Sequence, residues 1–205
     1  IDRLNSLASP NRKVSSAMMK STRINQTVAA CLEPFSLPTS LKLQTKDYQT
    51  HGAFPIIDQG QELIAGWTDN PDGVISSPLP LIVFGDHTRI FKYIDFPFVR
   101  GADGTQILKA RTDIYPRYFY YACKSIDLAS RGYNRHFTTL KEKTIPIPSW
   151  DEQVQIASVL QCLDKEQELL KRKLIVSAKL TTALIHQLIS DEISVTSLDL
   201  DVLSC

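Results

Sequence analysis

SWDEQVQIASVLQCLDKEQELLKRKLIVSAKLTTALIHQLI, residues 149–189, is the stretch that decides the architecture. It holds no glycine or proline, so nothing inside it interrupts a helical hydrogen-bond ladder. Ser149 and Glu152 stand three apart and fit a capping box, in which each side chain bonds the other's backbone amide. One helix is therefore expected from about Asp151 to Ile189. Alternating steps of four and three place Ile156, Leu160, Leu163, Gln167, Leu170, Leu174, Ser177, Thr181, Leu184 and Leu188 on one seam, most of them apolar. At 1.5 Å per residue the helix would be roughly 55–60 Å long. One small domain cannot cover a face of that length, so the seam calls for a partner helix; the alternative is a helix folded back on its own domain. Gln167, Ser177 and Thr181 interrupt the seam, as polar residues do where register is being fixed.

Working outward, Thr144-Ile-Pro-Ile-Pro148 must be extended, because each proline restricts its predecessor to β or polyproline geometry. Thr112 to Arg131 reads as a helix, with Asp113 as cap, Pro116 in the first turn, Phe119, Ala122, Cys123 and Ile126 on one face, and Gly132 as stop. Pro80-Leu-Ile-Val-Phe84 is an apolar run ending at Gly85, consistent with a buried strand, and Ile90 to Ile94 could pair with it. Asp69-Asn-Pro-Asp-Gly73 and Ala102-Asp-Gly104 carry turn chemistry. Residues 15–33 space Met18, Ile24, Val28 and Leu32 as a weak helix that Pro34 ends. The expected organisation is a weakly helical N-terminal extension (1–34), a mixed β-rich domain (35–149), a long helix (150–190) and a loose tail (191–205). The fold class is α+β.

With 205 residues and 43% hydrophobic composition the chain can bury a core without staples. No apolar run is long enough for a transmembrane helix. Cys31, Cys123, Cys162 and Cys205 lie far apart with no C-x-x-C pair, which argues against a zinc ribbon and suggests a reduced cytosolic setting. The first residue is Ile1, as expected of a processed or truncated piece. The net charge of +1 conceals a pattern. Residues 1–48 carry +4 (seven basic, three acidic), 49–85 carry −4 (four acidic), 86–143 carry +5 (eleven basic, six acidic) and 144–205 carry −4 (five basic, nine acidic). Attraction to phosphate acts over about a Debye length, roughly 8–10 Å, so the basic middle block matters more than the sum.

Catalytic signatures are missing. There is no G-x-S-x-G, no phosphate-binding G-x-x-x-x-G-K-[ST] and no G-x-G-x-x-G. Asn70-Pro71 lacks the following Pro-aromatic pair of an amino-methyltransferase, and Lys141-Glu-Lys143 supplies no nuclease carboxylate set. The four histidines show no metal-ligand spacing, so no metal and no cofactor is expected on this chain. Asp86-His87 is the one pair open to a hydrolase reading. Adjacent strand residues point apart, which suits an acid–base dyad poorly.

The polar loops look built for recognition. Gly85-Asp-His-Thr-Arg89 follows the strongest strand, and Gln59-Gly-Gln61, Arg100-Gly-Ala-Asp-Gly-Thr105 and Arg131-Gly-Tyr-Asn-Arg-His136 share its character. Arg pairs bidentately with guanine and Asn or Gln with adenine, while Arg and Lys neutralise phosphate. The candidates for DNA contact are Arg89, Arg100, Arg131, Asn134, Arg135, His136 and Lys141, then Gln59, Gln61, His87 and Thr105. Taken in order, Phe54-Pro-Ile-Ile-Asp-Gln-Gly-Gln61, Ile82-Val-Phe-Gly-Asp-His-Thr-Arg89, Phe98-Val-Arg-Gly-Ala-Asp-Gly-Thr105, Gly132-Tyr-Asn-Arg-His-Phe137, and Ile145-Pro-Ile-Pro-Ser-Trp-Asp-Glu-Gln153 with Gln155-Ile-Ala-Ser-Val-Leu160 form a series. This series resembles the target recognition domain of a type I restriction-modification specificity subunit and its junction into a spacer helix, over about residues 45–189.

The resemblance implies a cytoplasmic DNA-reading component without catalysis of its own, reading half of a bipartite duplex target. It implies that the long helix forms an antiparallel coiled coil with a partner helix through Ile156, Leu160, Leu163, Leu170, Leu174, Leu184 and Leu188. It also implies a methyltransferase subunit, which alone would bind S-adenosylmethionine, and a nuclease-translocase subunit as partners, with no membrane. Such subunits usually carry two units in tandem and this chain carries one. It reads either as a half-subunit that self-associates or as a fragment of a tandem protein. The rival class is an assembly scaffold that pairs through its helix without binding DNA.

Overall fold

The structure, a computed structural model, describes residues 23–35, 43–101, 104–129 and 135–190. Its centre is β5 (Leu81–Gly85), flanked antiparallel by β6 (Phe91–Ile94) and β8 (Thr105–Leu108). Side chains alternate across a strand, and both faces of β5 are covered. Ile82 and Phe84 enter one core, Leu81 and Val83 another. That explains why PLIVF shows no polar alternation in sequence.

The second core is closed by a four-stranded sheet ordered β3-β2-β7-β4: Gly66–Thr68, Phe54–Ile57, Phe98–Arg100 and Val74–Ile75. β2 and β7 run parallel, Ile56 opposite Val99 and Ile57 opposite Arg100, so both strands deliver their following loops to the same end. Ile57, Ile75 and Phe98 meet Leu81, Val83 and Ile94 there. The first core lies on the other side of β5, beneath α1 (Pro116–Lys124), with Tyr118, Phe119, Tyr121, Ala122 and Cys123 buried. α1 is shorter than the helix expected over 112–131. Asp113 does not cap it; its carboxylate takes the Arg111 guanidinium, and Tyr115, extended as a residue before proline must be, holds the N-cap position.

The helix expected over 15–33 is corrected where it is described; residues 1–22 lie outside the described residues. Ile24–Thr27 is a strand, β1, antiparallel to β9 (Thr144–Ile147), with Ile24 opposite Ile147 and Thr27 opposite Thr144. A 3-10 turn, Ala29–Cys31, follows and drives Val28 and Cys31 into the first core. Extended β9 offers a free edge, and pairing with it outweighs a weak helical period. Arg111 secures this arm by donating to the Ala30 carbonyl (2.6 Å) and to Gln26 Oε1 (3.1 Å). So residues 23–33 are part of the β-rich body, not an extension from it.

A short helix, α2 (Phe137–Glu142), leads into β9, and α3 (Trp150–Ile189) follows at once, 40 residues without interruption. Ser149 Oγ accepts from the Glu152 amide at 3.4 Å, and the Glu152 carboxylate pairs with Arg23. Gln153, 1% exposed, fixes the exit of α3 from the body. Its Oε1 accepts from the Tyr115 amide at 2.8 Å and its Nε2 donates to the Pro148 carbonyl at 3.0 Å. Ala157 is buried beside it, and Ile156 and Leu160 are half-buried against the first core. The first two seam positions therefore serve the chain's own body. Asp164 still reaches the body, accepting from the Tyr121 hydroxyl; Leu163 beside it is exposed, and further along Leu170 and Leu174 stand exposed. Among the described residues no helix is long and apolar enough to cross a membrane.

Gln153→Leu keeps the volume and strands two main-chain polar groups. It is expected to lower the unfolding free energy by about 1–3 kcal/mol in urea titrations, with an unchanged m-value.

Candidate nucleic-acid interface

The loops after β2, β5 and β7 and the start of α2 meet at one end of the body. The loop after β2 is shaped by Asp58, whose Oδ1 accepts from the Gly60 amide at 2.7 Å. Lys92 holds it from β6. Its ammonium is buried, donates to the Glu62 carbonyl and lies 3.8 Å from Asp58 Oδ1. Burial lowers the Lys92 pKa, and the charges of Asp58 and Glu62 oppose that shift.

Between β5 and β6 the chain reverses tightly, with the Arg89 amide donating to the Gly85 carbonyl (2.8 Å) and the Gly85 amide to that of Ile90 (2.9 Å). Arg89 closes the turn at φ 62, the left-handed region that residues with a Cβ seldom adopt. Gln59 rests on this turn. Thr88 Oγ1 donates to its carbonyl (2.6 Å), and the His87 amide donates to its Oε1 (3.3 Å). The loop after β7 docks on the same turn through the Asp86 amide, which donates to the Gly104 carbonyl at 2.7 Å. Gly104 has φ 87, which favours glycine, and a Cβ there would lie 2.7 Å from Gln59 Oε1, so the end of the Gln59 side chain would have to shift.

Asp86 joins the fourth segment. The residue is 3% exposed, and Oδ1 accepts from the backbone amides of His136 (2.8 Å) and Phe137 (2.7 Å). The first amides of a helix have no intrahelical partner, and this carboxylate satisfies two of them at α2. His136 is itself buried, with Nδ1 3.0 Å from the Asp86 carbonyl oxygen. A carbonyl can only accept, so Nδ1 carries the hydrogen. Nε2 is buried without a hydrogen-bond partner among the described residues.

The structure thus brings Gln59, His87, Arg89, Thr105 and His136 onto one connected group of loops. Thr105 is buried opposite Gly85 in the β5–β8 pairing. Arg100 is half-buried at the end of β7, beside Gly101, whose amide donates to the Ile57 carbonyl (2.8 Å). Gln61 and Arg135 are exposed. Lys141 is one turn along α2, its ammonium 4.9 Å from the Phe137 ring centroid. Arg131 and Asn134 lie outside the described residues. His136 points inward, and the Arg89 guanidinium donates through Nη1 to the Leu128 carbonyl at 2.7 Å. Among the described residues no three His, Cys, Asp or Glu side chains come together as metal ligands. Sequence reasoning missed the role of Asp86, because its partners are fifty residues away.

A second polar cluster joins α1 to α3, away from these loops. Tyr121 donates to Asp164 Oδ2 at 2.8 Å, and burial pushes the Tyr121 pKa up, reinforced by that carboxylate. Arg117 stacks 3.7 Å over the Tyr93 ring and lies 3.5 Å from Asp95. An open cleft of 470 Å³ runs beside it, lined among others by Lys165, Glu168 and Arg172.

Comparison with known proteins bears on these loops directly. Residues 41–178 match the family described as the Type I restriction modification DNA specificity domain. The specificity subunit of the Type I restriction enzyme EcoR124I/EcoR124II of Escherichia coli is 27% identical over 123 residues, covering 57% of this chain and 30% of that protein. The S subunit of a type I restriction-modification system from M. genitalium superposes with a TM-score of 0.56 at 19% identity, over 89% of this chain and 48% of that one. A chain from a structure described as the basis of complex assembly and conformational transition of the type I R-M system gives 0.56 at 14% identity, over 80% and 45%. The chain spans less than half the length of each of these relatives.

Gly104→Ala should cost about 1–3 kcal/mol, from the positive φ together with displacement of Gln59. Thermal unfolding gives the magnitude, and a shifted His87 amide resonance would report the movement of Gln59.

Proposed function

Since the chain belongs to the Type I restriction modification DNA specificity domain family, we propose that it reads one half of a bipartite duplex target and directs methyltransferase and nuclease subunits to it. The observation that carries this is the convergence of the loops after β2, β5 and β7 with the start of α2. Hydrogen bonds to their main chain, from other main-chain groups and from the side chains of Thr88 and Asp86, tie them together while Gln61 and Arg135 stay exposed. Rigid main chain with outward amides and guanidinium groups is what base readout in a groove requires. The surrounding segment 86–143 carries +5, which supplies phosphate attraction without making the whole chain basic. Catalysis and S-adenosylmethionine binding belong, in this reading, to the partner subunits.

Arg135→Ala should weaken binding to the preferred sequence by about 1–3 kcal/mol and relax preference at one position if it reads a base. The assay is selection from a randomised duplex pool by the full chain, with and without a methyltransferase subunit of such a system, followed by affinity titrations. Selection of no sequence under either condition would remove the DNA reading in favour of the scaffold.

The exposed end of α3 is the second working part. Leu174, Ile175 and Val176 are consecutive and exposed, Leu174 at 72%, and Leu169, Leu170, Leu180 and Ile185 are also open. Consecutive helical residues sit 100° apart, so these side chains cover more than half the circumference. This supports packing against helices of partners, or of a second copy, through the seam of Leu163, Leu170, Leu174, Leu184 and Leu188. Leu170→Glu with Leu174→Glu should abolish association in sedimentation velocity while leaving the unfolding of the β-rich body unchanged. A wild-type chain that stays monomeric at micromolar concentration would exclude the half-subunit that pairs with itself.

A further inference from the structure

We propose that Asp86 and Arg89 are positioning residues for DNA discrimination: from one turn they fix the chain at Leu128 and at His136, and so set where Arg135 and α2 stand relative to Gln59, His87 and Thr105. This rests on the DNA reading above, and it moves Arg89 from the readers to the supports.

The geometry is a two-point attachment. On one side Arg89 Nη1 donates to the Leu128 carbonyl at 2.7 Å. On the other, Asp86 takes the His136 amide on both Oδ1 (2.8 Å) and its carbonyl (3.1 Å), the Phe137 amide on Oδ1 (2.7 Å), and His136 Nδ1 on its carbonyl (3.0 Å). The two residues are three apart in a turn closed by main-chain bonds, so the attachment points keep a fixed separation. The same turn carries Gln59 and Gly104. It is therefore the common reference for all four segments.

Each residue gives something up to hold this arrangement. Arg89 adopts φ 62, uncommon for a residue with a Cβ. Asp86 buries a carboxylate with no cation hydrogen-bonded to it among the described residues, and amide donors at a helix start take the cation's place. A turn whose only task was to connect β5 to β6 would be better served by glycine at position 89. A guanidinium reaching a main-chain carbonyl thirty-nine residues away is what the left-handed conformation secures.

Arg89→Gly separates placement from stability, because glycine accepts the positive φ and the fold should hold. With the sequence selected by the wild-type chain from a randomised duplex pool, Arg89→Gly is expected to lower the ratio of selected to random duplex affinity about tenfold. The slope of log affinity against log salt should stay unchanged. An equal loss on both duplexes with a slope smaller by about one would make Arg89 a phosphate contact and overturn the proposal. Unchanged discrimination would overturn it too. Asp86→Ala should lose discrimination in the same way, and Asp86→Asn, which keeps an oxygen for the two amides, should restore it. Failure of Asn to rescue a folded Asp86→Ala chain would also count against the proposal. A wild-type chain that selects no sequence would instead remove the DNA reading itself, so the two failures are told apart.

Discussion

The amide of Gln153 sets the relation between the two halves of this molecule. A forty-residue helix can report a geometry only if its direction is fixed where it starts, and α3 starts immediately after an extended strand, where the chain could pivot. Gln153 removes that freedom by bonding in two directions, to the amide that opens α1 and to the carbonyl that ends the β9 segment. Because the amide is buried, a rotation of α3 would leave polar groups without partners, and the cost confines the helix to one orientation. The Tyr121–Asp164 bond adds a second fixed point three turns further along. Ile156, Ala157 and Leu160 fill the space between the two with apolar contact.

At the opposite end the same economy is visible in another form. The loops are held at their main chain: carbonyls and amides of Gly85, Asp86, Gly104, Leu128 and His136 bond one another or the side chains of Asp86 and Arg89. Side chains that do not take part are free to differ without loosening the arrangement. Such a division suits a scaffold that must present different polar groups at constant positions. It also accounts for the glycine at position 104, where a side chain would collide with Gln59.

The long helix, the β5–β6 pair and the extended TIPIP segment were legible because each is specified by its own residues: an unbroken seam, an apolar run with a turn after it, and alternating prolines. β1 was not, since INQT carries no signal of its own and becomes a strand only because β9 lies beside it. Helix α1 is shorter than expected at both ends: Asp113 resembles a cap but its carboxylate is taken by the nearby Arg111, and the helix ends at Lys124, before the expected stop at Gly132. In the loops the residue types pointed to recognition, but their roles depended on contacts thirty to fifty residues away. Arg89 was a candidate reader and is bonded to a carbonyl, and Asp86, which its sequence neighbour His87 suited poorly as a dyad partner, accepts from the amides at the start of α2.

The exposed part of α3 has further to say about what it meets. The −4 of residues 144–205 belongs to Asp191, Glu192, Asp199 and Asp201, since the helix itself balances five acidic against five basic side chains. In the proposed pairing attraction would therefore be mainly apolar, and an apolar surface open on several sides does not choose a register by itself. Of the polar residues on the seam, Thr181 spends its hydroxyl hydrogen on the Ser177 carbonyl at 3.0 Å, within the helix. A satisfied hydroxyl sits in an apolar contact at little cost and discriminates weakly. Gln167 is the seam's one amide, with donors and an acceptor that its own helix does not need. In the pairing proposed above, burying that amide against hydrocarbon would cost free energy, which makes Gln167 the seam residue best suited to select a register.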